Sequence, residues 1–600
     1  MQRIPRIVGN LFHGIRLVRK TCLPLSNGGH QKNWKNFRIA SYSSRAVFSK
    51  EYDYVIVGAG SAGCVLANRL TEDGQHDVLV VEAGPKDYSW DWRIHMPSAL
   101  QYNLSSDTYN WYYMVEPQQH MDNRVMYWPR GRVWGGSSAL NAMVYIRGHA
   151  YDYDGWEAAG AKGWSYADCL PYFRKSQTHE LGEDDYRGGS GPLHVSRGKM
   201  KNPLFKAFIE AAMQCGYPYT EDLNGFQQEG VGPMDMTTYK GKRWSASQAY
   251  LRPSLSRKNL KTETKALVTR VLFEGTKAVG IEYVKDSQIR RMKAKKEVIL
   301  SGGAINSPQL LMLSGVGNHT DLKRHGISTV LNKPGVGQNL QDHLELYIQH
   351  ECKKPITLYK SSTNWINMGL IGIQWLTSHT GLGASSHLES GGFIRSRDGL
   401  RHPDIQFHFL PSAVIDHGRI VVDREAFQVH VGTLRATSRG FLTLRSPNPR
   451  DHPIIQPNYL ETEEDRRDLR QSVKLTREIF SQKAFDEFRG PEMQPGPNVK
   501  TDNEIDAFVR QKGDSAYHPS CTCKMGDESD PMAVVNSKGR LIGAEGIRVV
   551  DSSIMPNVVS GNLNGPTIMM AEKLADVIRG RDPLPKSSAP VYNTPSAGQR

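Results

Sequence analysis

The stretch YVIVGAGSAG occupies residues 54–63 and decides how the chain begins to fold. Its first four residues are a short run of β-formers, which predicts a buried strand that ends at the glycine. Residues 61–70 have a helical pattern, and the run VLVV at residues 78–81 predicts a second buried strand before Glu82. Strand, glycine turn, helix and strand form a βαβ unit, which indicates a doubly wound α/β domain with a parallel sheet.

The glycine spacing in this unit suits the binding of a dinucleotide. Gly58 permits the tight turn, Gly60 lets a pyrophosphate lie against the backbone, and Gly63 allows the helix to pack closely on the strand. Amide groups at the helix N-terminus then attract the phosphate charge. Glu82 can accept hydrogen bonds from a ribose hydroxyl. The motif therefore predicts a dinucleotide cofactor, but it does not distinguish FAD from NAD.

Positive charge is concentrated at the start of the chain. Ten of the fourteen net positive charges lie in residues 1–50, where there is no acid. Apolar residues recur there at three- and four-residue steps between arginines, which is typical of a mitochondrial transit peptide. We predict such a peptide over residues 1–48; a disordered basic arm or a nucleic-acid-binding tail would carry the same charge. The rest of the chain is close to neutral, so no nucleic acid is predicted as its partner.

Three other patterns bear on sites and on the membrane. Seven cysteines are scattered without a Cys-x-x-Cys pair, so no metal site is predicted. The longest apolar run, residues 366–376, is shorter than the roughly 18 residues of a membrane span. We interpret it as a core helix, with an interfacial patch as the alternative. Pro- and Ser-rich residues 581–600 predict a disordered tail.

Two longer stretches resemble the signatures of a known family. GRVWGGSSALN occupies residues 131–141, and GAINSPQLLMLSGVG occupies residues 303–317. With the glycine turn, they resemble the glucose–methanol–choline oxidoreductases over nearly all of residues 51–580. The resemblance implies a Rossmann-like FAD domain and a second α+β substrate domain. We expect residues 51–350 to form mainly the FAD domain, residues 351–512 mainly the substrate domain, and residues 513–580 to return to the FAD domain with the active-site base.

The resemblance also implies which residues contact the cofactor. Gly136 and Asn141 are implied at the flavin ring, and the backbone of Val268 at the adenine. Some relatives bond FAD covalently to a histidine where this chain has Leu140, so we predict non-covalent FAD. The implied contacts near the end of the chain are Asp551 at the ribityl and phosphate region, and Pro566 and Thr567 beside the pyrimidine end of the flavin.

Oxidation of an alcohol removes a proton from oxygen and a hydride from carbon. A flavin accepts the hydride, and histidine suits the proton because its ordinary pKa is close to neutral pH. Among twenty histidines, the resemblance selects His518, the first residue of the run HPSCTCKMG, as the catalytic base. In relatives its partner is a His or Asn near the last flavin-contact segment. We predict Asn564 for this role, because it directly precedes Gly565, and Asn562 could be a turn residue.

The resemblance is strongest to family members that oxidise choline, through the runs at residues 128–134, 402–411 and 518–526. A trimethylammonium group donates no conventional hydrogen bond, so a site must recognise it with aromatic faces and a carboxylate. Glu389 is implied as this carboxylate, although it could instead form a salt bridge at a strand end. His408 is implied as a second active-site histidine. The implied product is betaine aldehyde, which could be oxidised further to glycine betaine.

The resemblance implies two partners besides choline. These are a quinone or another respiratory-chain electron acceptor, and the matrix side of the mitochondrial inner membrane, to which the protein would attach peripherally. Two other functions fit the same residues, namely oxidation of a different primary alcohol and a non-catalytic role as a mitochondrial interaction partner. Glu389 discriminates against the first, because a neutral alcohol needs no carboxylate, and the presence of His518 argues against the second.

Overall fold

Two large sheets organise the part of the chain that the computed structural model describes, residues 48–415 and 420–594. Residues 1–47 of the predicted transit peptide lie outside the described residues. In chain order, the strands of the two sheets are β1 (Lys50–Val57), β2 (Val78–Val81), β3 (Gly230–Pro233), β4 (Leu260–Glu263), β5 (Leu267–Glu274), β6 (Lys277–Lys285), β7 (Gln288–Leu300), β8 (Leu344–Cys352), β9 (Ser390–Ile394), β10 (Ile405–Leu410), β11 (Ala426–Thr433), β12 (Arg489–Gln494), β13 (Asp514–Ser515) and β14 (Ile547–Val549).

Helices cover both sheets and fill the space around them. Those of nine residues or more are α1 (Ser61–Arg69), α2 (Ala150–Ala158), α3 (Tyr166–Ser176), α4 (Pro203–Gln214), α5 (Gly303–Leu313), α6 (Trp365–Ser378), α7 (Glu463–Ser481), α8 (Asp502–Lys512) and α9 (Asn564–Ile578). Helix α1 packs against α9, and both are buried along most of their length.

The first sheet is the predicted doubly wound one. Its strand order is β4-β2-β1-β7-β6-β5, with β14 beside β7. Strands β4, β2, β1, β7 and β14 run parallel, whereas β5, β6 and β7 form an antiparallel meander. All four residues of β2 are buried, as expected for a parallel strand that helices cover on both faces. The prediction of a Rossmann-like domain is confirmed.

The second sheet is antiparallel, with the order β12-β8-β11-β10-β9-β3 and with β13 beside β8. Side chains alternate along β10, so Phe407 and Phe409 pack under α4, where the Phe409 ring stacks 5.1 Å from that of Phe208. Gln406 and His408 therefore share the opposite face of this strand. This sheet with its helices confirms the second, α+β part of the fold. Its strand β3 lies within residues 51–350, the range predicted to form mainly the FAD domain, and its strand β8 begins there.

Two segments differ from their sequence interpretation. Residues 581–594, predicted to be disordered, lie along the surface: the Ser587 amide donates to the Ala167 carbonyl, and Lys586 pairs with Asp168 at 3.1 Å. Residues 595–600 lie outside the described residues. The apolar run at 366–376 forms most of α6, but Trp375 is the one buried residue of that helix, so the interpretation as a core helix was wrong. Within the described ranges, no helix has the length and apolarity needed to cross a membrane.

Candidate active site

The glycine turn after β1 is shaped for a close ligand. A Cβ on Gly63 would lie 2.0 Å from the Gly58 carbonyl oxygen, and one on Gly58, at φ +100°, would lie 2.5 Å from the Ser301 carbonyl oxygen. The fold itself therefore requires these two glycines. At Gly60 the nearest atoms to a Cβ are 3.9 Å away, so the protein alone would tolerate a side chain there. A ligand that approaches the backbone explains this third glycine.

Two helix N-termini converge at this turn. Ser61 is the first residue of α1 and Asn564 is the first residue of α9, and the Ser61 hydroxyl donates to Asn564 Oδ1 at 2.8 Å. Neither helix has a side-chain cap, so the amides of both first turns remain for an anion. Pro566 and Thr567 lie buried in the first turn of α9. The first turn of α1 suits a pyrophosphate, and the contact of Pro566 and Thr567 with the pyrimidine end of the flavin stays a prediction.

Glu82 closes the other side of the turn. Its carboxylate accepts hydrogen bonds from the amides of Ala59 at 2.9 Å and Gly84 at 2.8 Å, and burial raises its pKa to about 7. Its backbone carbonyl accepts from the Ala266 amide at 3.0 Å. Val268, in β5, follows Ala266 by two residues. The predicted ribose and adenine contacts thus lie next to each other.

The first family signature touches the glycine turn directly. A Cβ on Gly136, at φ +53°, would lie 2.7 Å from the Gly60 Cα atom. Asn141 follows, and its Oδ1 accepts from the Arg243 guanidinium at 2.9 Å. Arg243 is buried and also donates to the carbonyls of Ile94 and Ser138. The hydrogen bonds of this cation go to uncharged oxygens, so it supplies positive charge behind the segment predicted to face a flavin. No sequence motif had indicated Arg243.

Asp551 joins the second signature to the end of β14. Its carboxylate accepts from the Gly303 amide at 2.9 Å, the Ser307 hydroxyl at 2.6 Å and the Ser553 amide at 2.8 Å. Burial raises the pKa of Asp551, while these donors favour the ionised form. Asp551 therefore fixes the N-terminus of α5, which follows Ser301, the residue packed against Gly58. Its contact with the phosphate region of the cofactor stays a prediction.

The predicted base lies in a loop held by two strand-like pairs. Leu344 pairs with Ser515 across β8 and β13, Gln341 forms a bridge with Ser520, and His518 lies between these pairs. The backbone amide of His518 donates to Asp342 Oδ1 at 2.7 Å. These contacts fix the position of the imidazole without using either of its ring nitrogens.

Both ring nitrogens of His518 face other side chains. Its Nε2 lies 3.2 Å from Asn562 Nδ2, and its Nδ1 lies 3.0 Å from His343 Nδ1. An amide N–H can only donate, so Nε2 is the acceptor and the His518 proton resides on Nδ1, where it is donated to His343. Burial holds the pKa of His518 well below its ordinary value, and His343 lowers it further. His518 is therefore a neutral base with its lone pair on Nε2.

The second sheet completes this cluster. Asn562 Oδ1 accepts from Gln406 Nε2 at 3.2 Å and lies 3.4 Å from His408 Nε2. Burial lowers the pKa of His408 to about 4, so this ring is also neutral at physiological pH. The structure thus brings the predicted His408 together with His518. Sequence reasoning missed Gln406, which the two-residue period of β10 places on the same face as His408.

The structure does not support Asn564 as the partner of His518. Asn564 is the first residue of α9, and its side chain bonds Ser61 at the nucleotide turn. Asn562, two residues earlier, faces the imidazole. The two side chains point to different partners because the chain turns into the helix between the two positions. His343 was also missed, and the sequence carries no spacing signal that would connect it to His518.

Glu389 lies just before β9, and β9 pairs with β10, the strand that carries His408. Gly391, two residues along, pairs across the sheet with His408. The buried Glu389 carboxylate accepts from the Met200 amide at 2.5 Å and from the Ser385 hydroxyl at 2.6 Å. Both donors are neutral, and burial lowers the pKa of the neighbouring His387 although Glu389 opposes that shift. Neither the two bonds nor this histidine therefore compensates the charge of Glu389. A buried carboxylate in this condition favours a cation nearby.

Known proteins share these features. The N-terminal and C-terminal family descriptions of the GMC oxidoreductases match residues 52–345 and 436–571. The chain is 65% identical over 557 residues to mitochondrial choline dehydrogenase of Mus musculus, covering 92% of this chain and 93% of that protein. It is 51% identical over 545 residues to oxygen-dependent choline dehydrogenase of Brucella ovis, covering 91% and 98%. Its fold is similar to that of pyridoxine 4-oxidase from Mesorbium loti, with a TM-score of 0.80, 32% identity, and coverage of 88% of this chain and 99% of that one. The chain belongs to the GMC oxidoreductase family.

Proposed function

We propose that the chain is an FAD-dependent dehydrogenase that oxidises choline to betaine aldehyde. The observation that carries the proposal is the separation of 3.2 Å between His518 Nε2 and Asn562 Nδ2. Two polar atoms this close can both contact one alcohol oxygen, the first as base and the second as donor. The choice of choline is supported by the curated relatives, which are named for this substrate, and by the uncompensated charge of Glu389.

FAD suits the residues gathered around the glycine turn, and when bound it supplies the acceptor for the hydride. The first turn of α1 would hold the pyrophosphate, and Glu82 would accept from a ribose hydroxyl. Pro566 and Thr567 in the first turn of α9 would lie beside the pyrimidine end of the flavin. The Gly136–Asn141 segment would lie at the flavin ring. Leu140 is buried in an apolar cluster with Ile94 and carries no nucleophilic atom, which supports non-covalent binding.

Among the residues around the alcohol, His518 would act as the base, and Asn562 and Glu389 would stabilise charge. His518 is neutral because burial lowers its pKa, so its Nε2 can accept the hydroxyl proton of choline. Asn562 Nδ2 would donate to the oxygen as negative charge develops there. The Nδ1 proton stays shared with His343 and holds the ring in the tautomer that a base requires. The carboxylate of Glu389 would compensate the trimethylammonium charge.

An anaerobic titration with choline tests this proposal. We expect the yellow absorbance of the FAD-loaded protein to disappear with one equivalent of choline, and this bleaching to be lost in His518→Ala. Bleaching by other alcohols but not by choline would refute the substrate while leaving the reaction class. If no alcohol bleaches the flavin, the chain is a non-catalytic flavoprotein.

We further propose a mitochondrial location with peripheral attachment to the matrix side of the inner membrane, and a quinone or another respiratory-chain acceptor. The basic, acid-free first 50 residues and the mouse relative's name support the location. The Brucella relative is named oxygen-dependent, so the acceptor must be tested directly. With choline in excess, turnover with a soluble ubiquinone analogue should exceed turnover with oxygen alone; equal rates would contradict the assignment. Carbonate washing of mitochondria should release the protein, whereas retention in the membrane pellet would exclude a peripheral attachment.

A further inference from the structure

Helix α6 presents an apolar face to the outside of the molecule. Trp365 is 62% exposed, and Leu370 and Ile373 are each 60% exposed. Ile366 and Leu376 are half exposed, and the positions 366, 370 and 373 recur at the spacing of a single helix face. An exposed run of large apolar side chains marks an interaction surface rather than an ordinary surface helix.

The opposite face of α6 is apolar too, because it anchors the helix to the protein. Trp375 is buried in a cluster with Met96 and Ala99, and its indole Nε1 donates to the Gly241 carbonyl at 2.7 Å. The helix carries no charged side chain over its fourteen residues. Its polar residues are Asn367, Gln374, Thr377 and Ser378, and the rest of the helix is apolar on both faces. Two apolar faces are normal for a helix in a core or in lipid, and α6 has protein on only one side.

The segment that contains α6 carries basic and no acidic residues, although Asp423 accepts a hydrogen bond from the Tyr359 hydroxyl on the short helix before α6. No Asp or Glu occurs between Cys352 and Leu388, whereas Lys360 lies on the short helix that leads into α6. At the other end, Lys242 lies close enough to His379 to lower the pKa of that histidine, after the larger effect of burial. An apolar face with tryptophan at its start and a basic border is the pattern of a helix that lies in the plane of an anionic membrane surface.

We propose that α6 is the membrane-binding element, with its outer face in the boundary between headgroups and acyl chains of an anionic bilayer. The inference rests on the proposed peripheral attachment and names the element responsible for it. A second copy of the chain fits this surface less well. A two-fold symmetric dimer would place the same basic border against itself, and like charges across an interface oppose association.

The position of α6 also connects the membrane to the cofactor groove. Gly241, which accepts the hydrogen bond from Trp375, is followed two residues later by Arg243, whose guanidinium binds Asn141. Two residues span at most about 7 Å. Binding of α6 to a bilayer would therefore bring the flavin-facing segment near the lipid surface, where a lipid-soluble electron acceptor resides.

Vesicle flotation of the FAD-loaded protein tests the proposal. Vesicles of phosphatidylcholine with cardiolipin should carry the wild-type protein, and pure phosphatidylcholine should carry less of it. The variant Ile366→Ser/Leu370→Ser/Ile373→Ser should bind the cardiolipin vesicles roughly a hundredfold more weakly, because about half of each of three apolar side chains no longer enters the membrane. A matched control, Val125→Ser/Leu181→Ser/Ile289→Ser, changes similarly exposed residues elsewhere and should bind like the wild type.

A second measurement follows Trp365 itself. Brominated lipids should quench part of the wild-type tryptophan fluorescence, and Trp365→Phe should remove that part. Both α6 variants should retain flavin bleaching by choline, which shows that they fold. If the wild type floats and the triple α6 variant floats equally, α6 is not the binding element; if the wild type does not float, the proposed membrane attachment itself fails. A monomer–dimer equilibrium that is lost in the α6 variant, without vesicle binding by the wild type, would assign the face to a second copy.

Discussion

Separate alanine substitutions of Asn562 and Asn564 should produce two different defects, although the residues are two positions apart. Asn562 Nδ2 lies 3.2 Å from His518 Nε2, so Asn562→Ala removes the donor that would stabilise developing negative charge on the alcohol oxygen. Asn564 accepts from the Ser61 hydroxyl at 2.8 Å, so Asn564→Ala should affect the nucleotide turn. The first change should slow the reaction, and the second should weaken cofactor binding.

The magnitudes follow from the kind of contact that is lost. Removing one donor from an oxyanion site typically costs about 100-fold to 1000-fold in rate, which we expect for flavin reduction in Asn562→Ala. The bond between Asn564 and Ser61 joins two neutral groups and contributes about 1 kcal/mol. Its loss should raise the Kd for FAD about fivefold and leave the rate of flavin reduction at saturating FAD within about twofold of wild type.

Anaerobic stopped-flow reduction by choline measures the first quantity, and titration of the apoprotein with FAD measures the second. Both variants should be compared at saturating FAD, so that a loss of cofactor is not read as a loss of rate. If Asn564→Ala slows flavin reduction a hundredfold under these conditions while Asn562→Ala does not, the assignment from the structure is wrong and the sequence-based choice of Asn564 was correct.

Three further results are expected. Glu389→Gln should raise the KM for choline at least tenfold, or about 1.4 kcal/mol, with little change for the uncharged isostere 3,3-dimethylbutan-1-ol; equal changes for both alcohols would mean a structural role. Gly60→Ala should fold with an unchanged melting temperature in the absence of FAD but bind FAD at least tenfold more weakly. Gly63→Ala should fail to fold. Equal stability of the two variants would contradict the packing described above. His343→Gln should move the acid limb of the kcat/KM profile to higher pH, because His343 lowers the pKa of His518 and less acid is then needed to protonate the base; a uniform loss of rate without a shift would exclude this effect.

The sequence predicted those features that short-range chemistry determines. The strand before Gly58, helix α1 and the strand before Glu82 occur as the local pattern indicated, because steric limits on glycine and the burial of short apolar strands act within a few residues. The family signatures extended the prediction to Asn141 and Asp551, which bond Arg243 and Gly303; their contacts with a cofactor stay predictions.

Contacts between distant parts of the chain could not be predicted in the same way. His343 meets His518 only because β8 and β13 pair as neighbours, and no spacing along the sequence records that pairing. The choice between Asn562 and Asn564 depends on a similar contact between distant parts of the chain. Both lie in the same short segment, and only the start of α9 after Leu563 decides that one faces the imidazole while the other faces Ser61.

Helix α6 shows a different limit of sequence reasoning. Hydropathy identified an apolar run, and an apolar run of this length is normally a core helix. The run is apolar on both faces, however, and hydropathy does not say whether each face meets protein. Only the packing of Trp375 against Met96, with Leu370 and Ile373 on the outside, separates the two faces. A helix with two apolar faces, only one of them against protein, is therefore a reason to look for an interfacial role where the described residues hold no helix able to cross a membrane.

The origin of the site residues suggests how substrate choice and chemistry can vary separately. His518 and Asn562 lie on segments that flank β14 of the parallel sheet, whereas His408 lies on β10 and Glu389 just before β9 of the antiparallel sheet. The base is thus held where the two sheets meet, through the pair of β8 and β13, whereas the residues that would recognise the rest of the alcohol lie on or beside β9 and β10. A substitution in β9 or β10 can change which alcohol is recognised without moving His518, because its position is fixed through Asp342 and the pairing of Leu344 with Ser515. The same division explains why Glu389, and not His518, should distinguish choline from its uncharged isostere.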